Sequence, residues 1–105
     1  MNTANLQLEG VYIVLASLLE ALVAKGAFDQ AELVAILSDV ERRIGADSSR
    51  PVEIRESNVE AAQFPARFLK SALRASSDGR KPSFAEIVSL IKESRRPEGA
   101  PAVSP

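Results

Sequence analysis

At 105 residues, 46% of them hydrophobic and 26% charged, with a net charge of −1, the chain has the composition of one globular domain and is too short for two. It contains no Cys and no His, which excludes disulfides, thiolate nucleophiles, Cys-ligated metals and every Ser-His-Asp, Cys-His or zinc-hydrolase constellation. Aromatic residues are sparse (four Phe, one Tyr, no Trp), so the core is expected to be aliphatic and large anchors for a binding hot spot few.

The first 25 residues carry a helical pattern, with a predicted helix over about 6–25. At 100° per residue, Leu8, Val11, Tyr12, Leu15, Leu18, Leu19, Leu22 and Val23 fall on one side, expected to face the core. Val14 and Ala21 widen that arc to about half the circumference, more than a surface helix needs, and Ile13 lies on the polar side. Gly10 falls inside this helix, where glycine costs about 1 kcal/mol relative to alanine. Lys25 and then Gly26 form a C-terminal stop. Asp29 and Glu32 read as a capping box, with Phe28 and Leu33 as its hydrophobic staple. A second helix follows over about 29–44, its stripe made by Leu33, Ile36, Leu37, Val40 and Ile44 and its end marked by Gly45. The short connection predicts an antiparallel helical hairpin.

Residues 45–57 lose the pattern. Val52 to Arg55 alternate like an isolated extended segment, with no second strand to pair with. Ser57 and Glu60 offer another capping box for a helical unit over about 57–76, and Pro65 predicts a break or kink at Phe64-Pro65. Phe68, Leu69, Ala72 and Leu73 form its buried face, and Arg67, Lys70 and Arg74 share the opposite one. After a turn at 77–82, Ser83 and Glu86 cap a last helix over about 83–96, whose stripe is Phe84, Ile87, Val88 and Ile91 with Leu90 at its border. Three prolines and a glycine from Pro97 onward predict a disordered tail, 97–105. The expected fold is thus all-α, a bundle of three to four helices forming a single domain over 1–96.

Two features point to function. The surplus apolar surface of the first helix, represented by Ile13, Val14, Leu18 and Ala21, is either buried centrally in the bundle or packs on another protein. The charge is also polarised along the chain. Residues 1–63 carry five basic and ten acidic side chains, net −5, and residues 64–96 carry eight basic and three acidic, net +5. Arg67, Lys70 and Arg74 are the candidate anion-binding face within that basic half, against an ordinary solvated face.

No catalytic residue, cofactor site, metal site or small-molecule site is identifiable. Asp39, Glu41 and Asp47 do not match a calcium loop, and the five glycines are isolated rather than clustered into a phosphate loop. The longest apolar run, Val11 to Leu19, is nine residues and is flanked by Glu9 and Glu20, whereas a membrane span needs about 20. The first basic residue is Lys25, unlike a secretory signal. The expectation is a cytoplasmic, non-enzymatic protein–protein interaction module or subunit, homodimeric through the broad apolar face of the first helix. The alternative is a nucleic-acid-associated regulator using the basic face of residues 67–96. Against it stand a pI of about 5.5 and the lack of Trp or Tyr interleaved with the charges.

Overall fold

The computed structural model describes residues 3–46, 57–77 and 79–94, with Ser57 and Ser94 described in backbone only. Within them the chain forms four helices and no strand: α1 (Thr3–Ala24), α2 (Gln30–Gly45), α3 (Ser57–Ser76) and α4 (Phe84–Ser94). The fold is the all-α bundle expected. Val52 to Arg55, expected to be extended, Arg95, Arg96 and the tail from Pro97 lie outside the described residues.

The helix ends follow the local chemistry. At the end of α1, Gly26 adopts a φ of 80°, its amide donates to the Val23 carbonyl, and the Ala27 amide donates to the Leu22 carbonyl, both at 3.0 Å. Those two bonds define a Schellman motif, which glycine can close without a Cβ penalty. At the start of α2 the Asp29 amide donates to Glu32 Oε1 at 2.8 Å. At the start of α4 the box is reciprocal: the Ser83 amide donates to Glu86 Oε1 at 2.8 Å and the Glu86 amide donates to Ser83 Oγ at 3.1 Å. The Ser83 backbone bond holds the exposed Glu86 carboxyl below its ordinary pKa.

The architecture is organised around α3, which packs against each of the other three helices. Direct contact among α1, α2 and α4 is slight. The connection between α1 and α2 is as short as predicted, yet both helices lean on α3 more than on each other. Of the break or kink expected at Phe64-Pro65, the break is absent, since α3 runs from Ser57 to Ser76 with Pro65 inside it. An interior proline removes the amide that would bond the Ala61 carbonyl and costs about 3 kcal/mol. Burial of Ala66, Phe68, Leu69, Ala72, Leu73 and Ala75 on both sides of the following turns outweighs that cost.

The expectation of an aliphatic core is corrected as well. Tyr12 from α1, Phe64 and Phe68 from α3, and Phe84 from α4 converge on one cluster. Phe68 is fully buried at its centre, with ring centroids 5.2 Å from Tyr12, 5.0 Å from Phe84 and 6.0 Å from Phe64. Few aromatics in a chain does not mean few in its core when four of the five meet at one point. Ala16, Leu69, Ala72, Ile87 and Ile91 complete the buried cluster. The stripe of α2 is shallower, with Leu33 buried, Leu37, Val40 and Ile44 half-buried, and Ile36 exposed rather than inward.

Gly10 lies in the middle of α1, and a Cβ added there would meet no atom within 4 Å. Gly10→Ala is therefore expected to raise stability by about 0.5–1 kcal/mol through helix propensity alone. A urea midpoint that stays put or falls would show that another backbone approaches this position.

Candidate interaction surface

Helix α1 presents two apolar faces, and the structure assigns them differently from the sequence reading. Tyr12, Ala16 and Leu19 point inward, with Val23 half-buried on the same side. Leu8, Val11, Leu15, Leu18 and Leu22, expected to be core, point outward. Leu18 is 58% exposed, Val14 57% and Leu15 40%. Among all the residues of α1, only Ala16 is buried.

The physical reason lies in the spacing. The inner set falls at 12, 16, 19 and 23 and the outer set at 8, 11, 15, 18 and 22. Each makes a helical stripe, about 100° apart on the helix wall. Periodicity finds both and chooses neither. Ala16 makes the choice, because a methyl group lets α1 approach the buried surface around Phe68, Ala72 and Ile87 closely.

The sequence-derived interface residues are thus all exposed, but not on one face. Val14 and Leu18 belong to the outer stripe and Ala21 borders it. Ile13, 37% exposed, lies round the helix on the wall of a cleft of about 660 Å³, open to solvent between α1 and the α3–α4 turn. Ala16, Ala72 and Ile87 contribute its apolar lining, and Glu20, Arg80 and Lys81 also line it. The residues that the sequence reading did not assign to the outer surface are Leu8, Val11, Leu15 and Leu22. Nothing in their spacing marks them as outer, because the inner set alternates by three and four in the same way.

Helix α1 is also long and apolar enough, by length and composition, to cross a membrane, although the nine-residue run within it suggested otherwise. Only 6% of its apolar window is buried in the molecule.

The basic residues are placed unequally. Arg67 and Lys70 turn toward α2, where Arg67 Nε lies 2.8 Å from Glu41 Oε2 and Lys70 Nζ lies 2.7 Å from Glu41 Oε1. Arg67 also donates to Gln63 Oε1 at 3.0 Å, Gln63 Nε2 donates to the Glu41 carbonyl at 2.8 Å, and Lys70 donates to Ser38 Oγ at 3.2 Å. The network ties α2 to α3. Gly45 makes room for it, since a Cβ at that position would stand 2.8 Å from Gln63 Nε2. Arg74 alone of the three is exposed, so Arg67, Lys70 and Arg74 do not form one open cationic face.

Burial by itself raises the Glu41 pKa, but hydrogen bonds and charge from Lys70 and Arg67 outweigh it and hold the carboxyl below its ordinary value. A carboxylate depressed in the folded state stabilises the fold above its unfolded pKa of about 4.3 and loses that contribution as pH falls through the lower folded value. Glu41→Gln is therefore expected to flatten the acid limb of the stability profile below about pH 4.3, as read from urea midpoints. An unchanged acid limb would mean that the pair contributes nothing net. On the far side of α2, Arg42 and Arg43 both contact Asp39, at 2.9 and 3.1 Å, but these exposed pairs contribute at most about 0.5 kcal/mol each.

Among the described residues, no three His, Cys, Asp or Glu side chains lie together as potential metal ligands. Among the described residues, the two carboxyls with shifted pKa, Glu41 and Glu86, are both engaged in holding helices in place. No protein-family model, no curated protein and no solved structure matches this chain.

Proposed function

We propose that this chain is a small non-enzymatic protein–protein interaction module, a cytoplasmic subunit that self-associates through the outer face of α1. One observation carries the reading: a helix that supplies Tyr12, Ala16 and Leu19 to its own core leaves a second apolar stripe, Leu8 to Leu22, in water. The exposed stripe is comparable with the largest apolar patch of a typical monomer, and patches of that size often serve as protein contacts. A chain without Cys or His also lacks a thiolate nucleophile and the commonest general base.

A bilayer is the other medium that accepts an apolar helix of 22 residues. Two features favour protein as the partner. Glu9 and Glu20 lie inside the helix, and a carboxylate at bilayer depth costs up to about 3 kcal/mol. Insertion would also strip Tyr12, Ala16 and Leu19 from the cluster around Phe68.

Size-exclusion chromatography with light scattering tests the proposal. The expected result is a mass of twice 11.3 kDa at micromolar concentration. A monomer persisting at several hundred micromolar would sink it.

A further inference from the structure

We propose that α1 pairs with α1 of a second copy as a parallel two-stranded coiled coil. This rests on the self-association reading and adds the register, orientation and strand number of the pair. Leu8, Leu15 and Leu22 recur every seven residues, and Val11 and Leu18 recur three residues after the first two. In heptad terms these are the a and d positions, and all five are exposed. Ala4 and Lys25 extend the d row at either end, and both are exposed.

The same frame explains the inner face. Tyr12 and Leu19 occupy e, and Ala16 and Val23 occupy b, so one flank of the seam is taken up by the chain's own core. The other flank, g, holds Gln7, Val14 and Ala21, all exposed and uncharged. Charges at e and g usually set partner choice in coiled coils. Here there are none, so no like-charge repulsion at either flank opposes pairing with a copy of itself through an isologous interface.

The position of the core sets the orientation. In a parallel pair each e position faces the partner's g, which puts the two globular bodies on opposite flanks. In an antiparallel pair e faces e, and both bodies crowd onto one flank beside helices only about 8–10 Å apart. Leu at each a position with Val11 at d would shift a free coil toward more strands, and the occupied e flank opposes this, because larger bundles draw e as well as g into the interface.

The seam and Val14 expose on the order of 500 Å² per chain, so a pair buries about 1,000 Å², the lower limit of a specific interface. Docking on α3 already fixes the helix, which removes the ordering cost a short isolated coil would carry.

Because the chain has no native cysteine, single substitutions report the pairing directly. Ala4→Cys and Lys25→Cys place thiols three heptads, about 32 Å, apart at opposite ends of the d row. In the 105-residue chain under mild oxidation, each variant alone is expected to convert most of its dimer to a disulfide-linked form. A heterodisulfide formed only when the two variants are mixed would overturn the parallel arrangement while leaving self-association intact. A light-scattering dimer that cross-links in neither experiment would overturn the register, and a tetrameric mass would overturn the strand number. A monomer, whether free in solution or bound to phosphatidylcholine vesicles, would overturn both this inference and the reading beneath it.

Discussion

Leu18→Glu is expected to weaken self-association by about two to three orders of magnitude while leaving the monomer folded. The side chain sits at the middle of the outer stripe, 58% exposed in the isolated chain, so its replacement removes little from the chain's own core. A surface substitution of this kind changes monomer stability by no more than about 0.5 kcal/mol. In the pair the change counts twice, because two-fold symmetry brings both copies of position 18 into the interface. Each new carboxylate must then be desolvated without a partner or take up a proton, and about 2 kcal/mol per copy already gives a thousandfold loss. Sedimentation equilibrium would measure the dissociation constant, and far-UV circular dichroism would verify the helix content. Val14→Glu, at the g edge, is expected to act in the same direction but less strongly. If Leu18→Glu associates as tightly as the parent chain, the outer stripe is not the contact surface.

How far the sequence reveals the molecule depends on whether the deciding interaction is local. Helix ends were legible because the Gly26 stop and the Ser83 and Glu86 cap act across three to five residues. The buried faces of α3 and α4 were legible too, since each has a single apolar stripe that can only face inward. Helix α1 was not, because it has two such stripes, and which one meets α3 depends on the fit of Ala16 into a surface built more than fifty residues later in the chain. The break expected at Pro65 is absent for a related reason. The proline's local penalty is real, but the packing of Phe68 and Leu69 decides the outcome. The basic residues share the same limit. Spacing put Arg67, Lys70 and Arg74 on one face, whereas the carboxylate that claims the first two lies on another helix, at Glu41. The candidate surface itself was half legible. The breadth of the apolar arc points to Val14 and Leu18, but a broad arc does not say that its larger part is left in water.

Phe68→Ala is expected to destabilise the fold by about 3–5 kcal/mol, the usual cost of emptying an aromatic site in a packed core. Phe68 is 0% exposed and touches rings from α1, α3 and α4, so no neighbour can fill the space without leaving its own contacts. Against a total stability of about 5–15 kcal/mol for a domain this size, the loss is a large fraction of the whole. The effect should also be uneven. Helix α1 reaches the rest of the molecule mainly through α3, with Tyr12 and Ala16 in the cluster that Phe68 centres, so α1 is expected to loosen first. Tyr12 is the only tyrosine and the chain has no tryptophan, which makes near-ultraviolet circular dichroism a local report on α1 docking. Phe68→Leu is expected to keep that signal with a smaller loss of stability, and Phe68→Ala to lose the signal before helix content falls. If both spectral bands melt together in Phe68→Ala, α1 is not a separable layer, and pairing through its outer face would then be coupled to global folding. A Phe68→Ala chain that remains dimeric, with α1 detached from α3, would show instead that the second copy alone holds the helix in place.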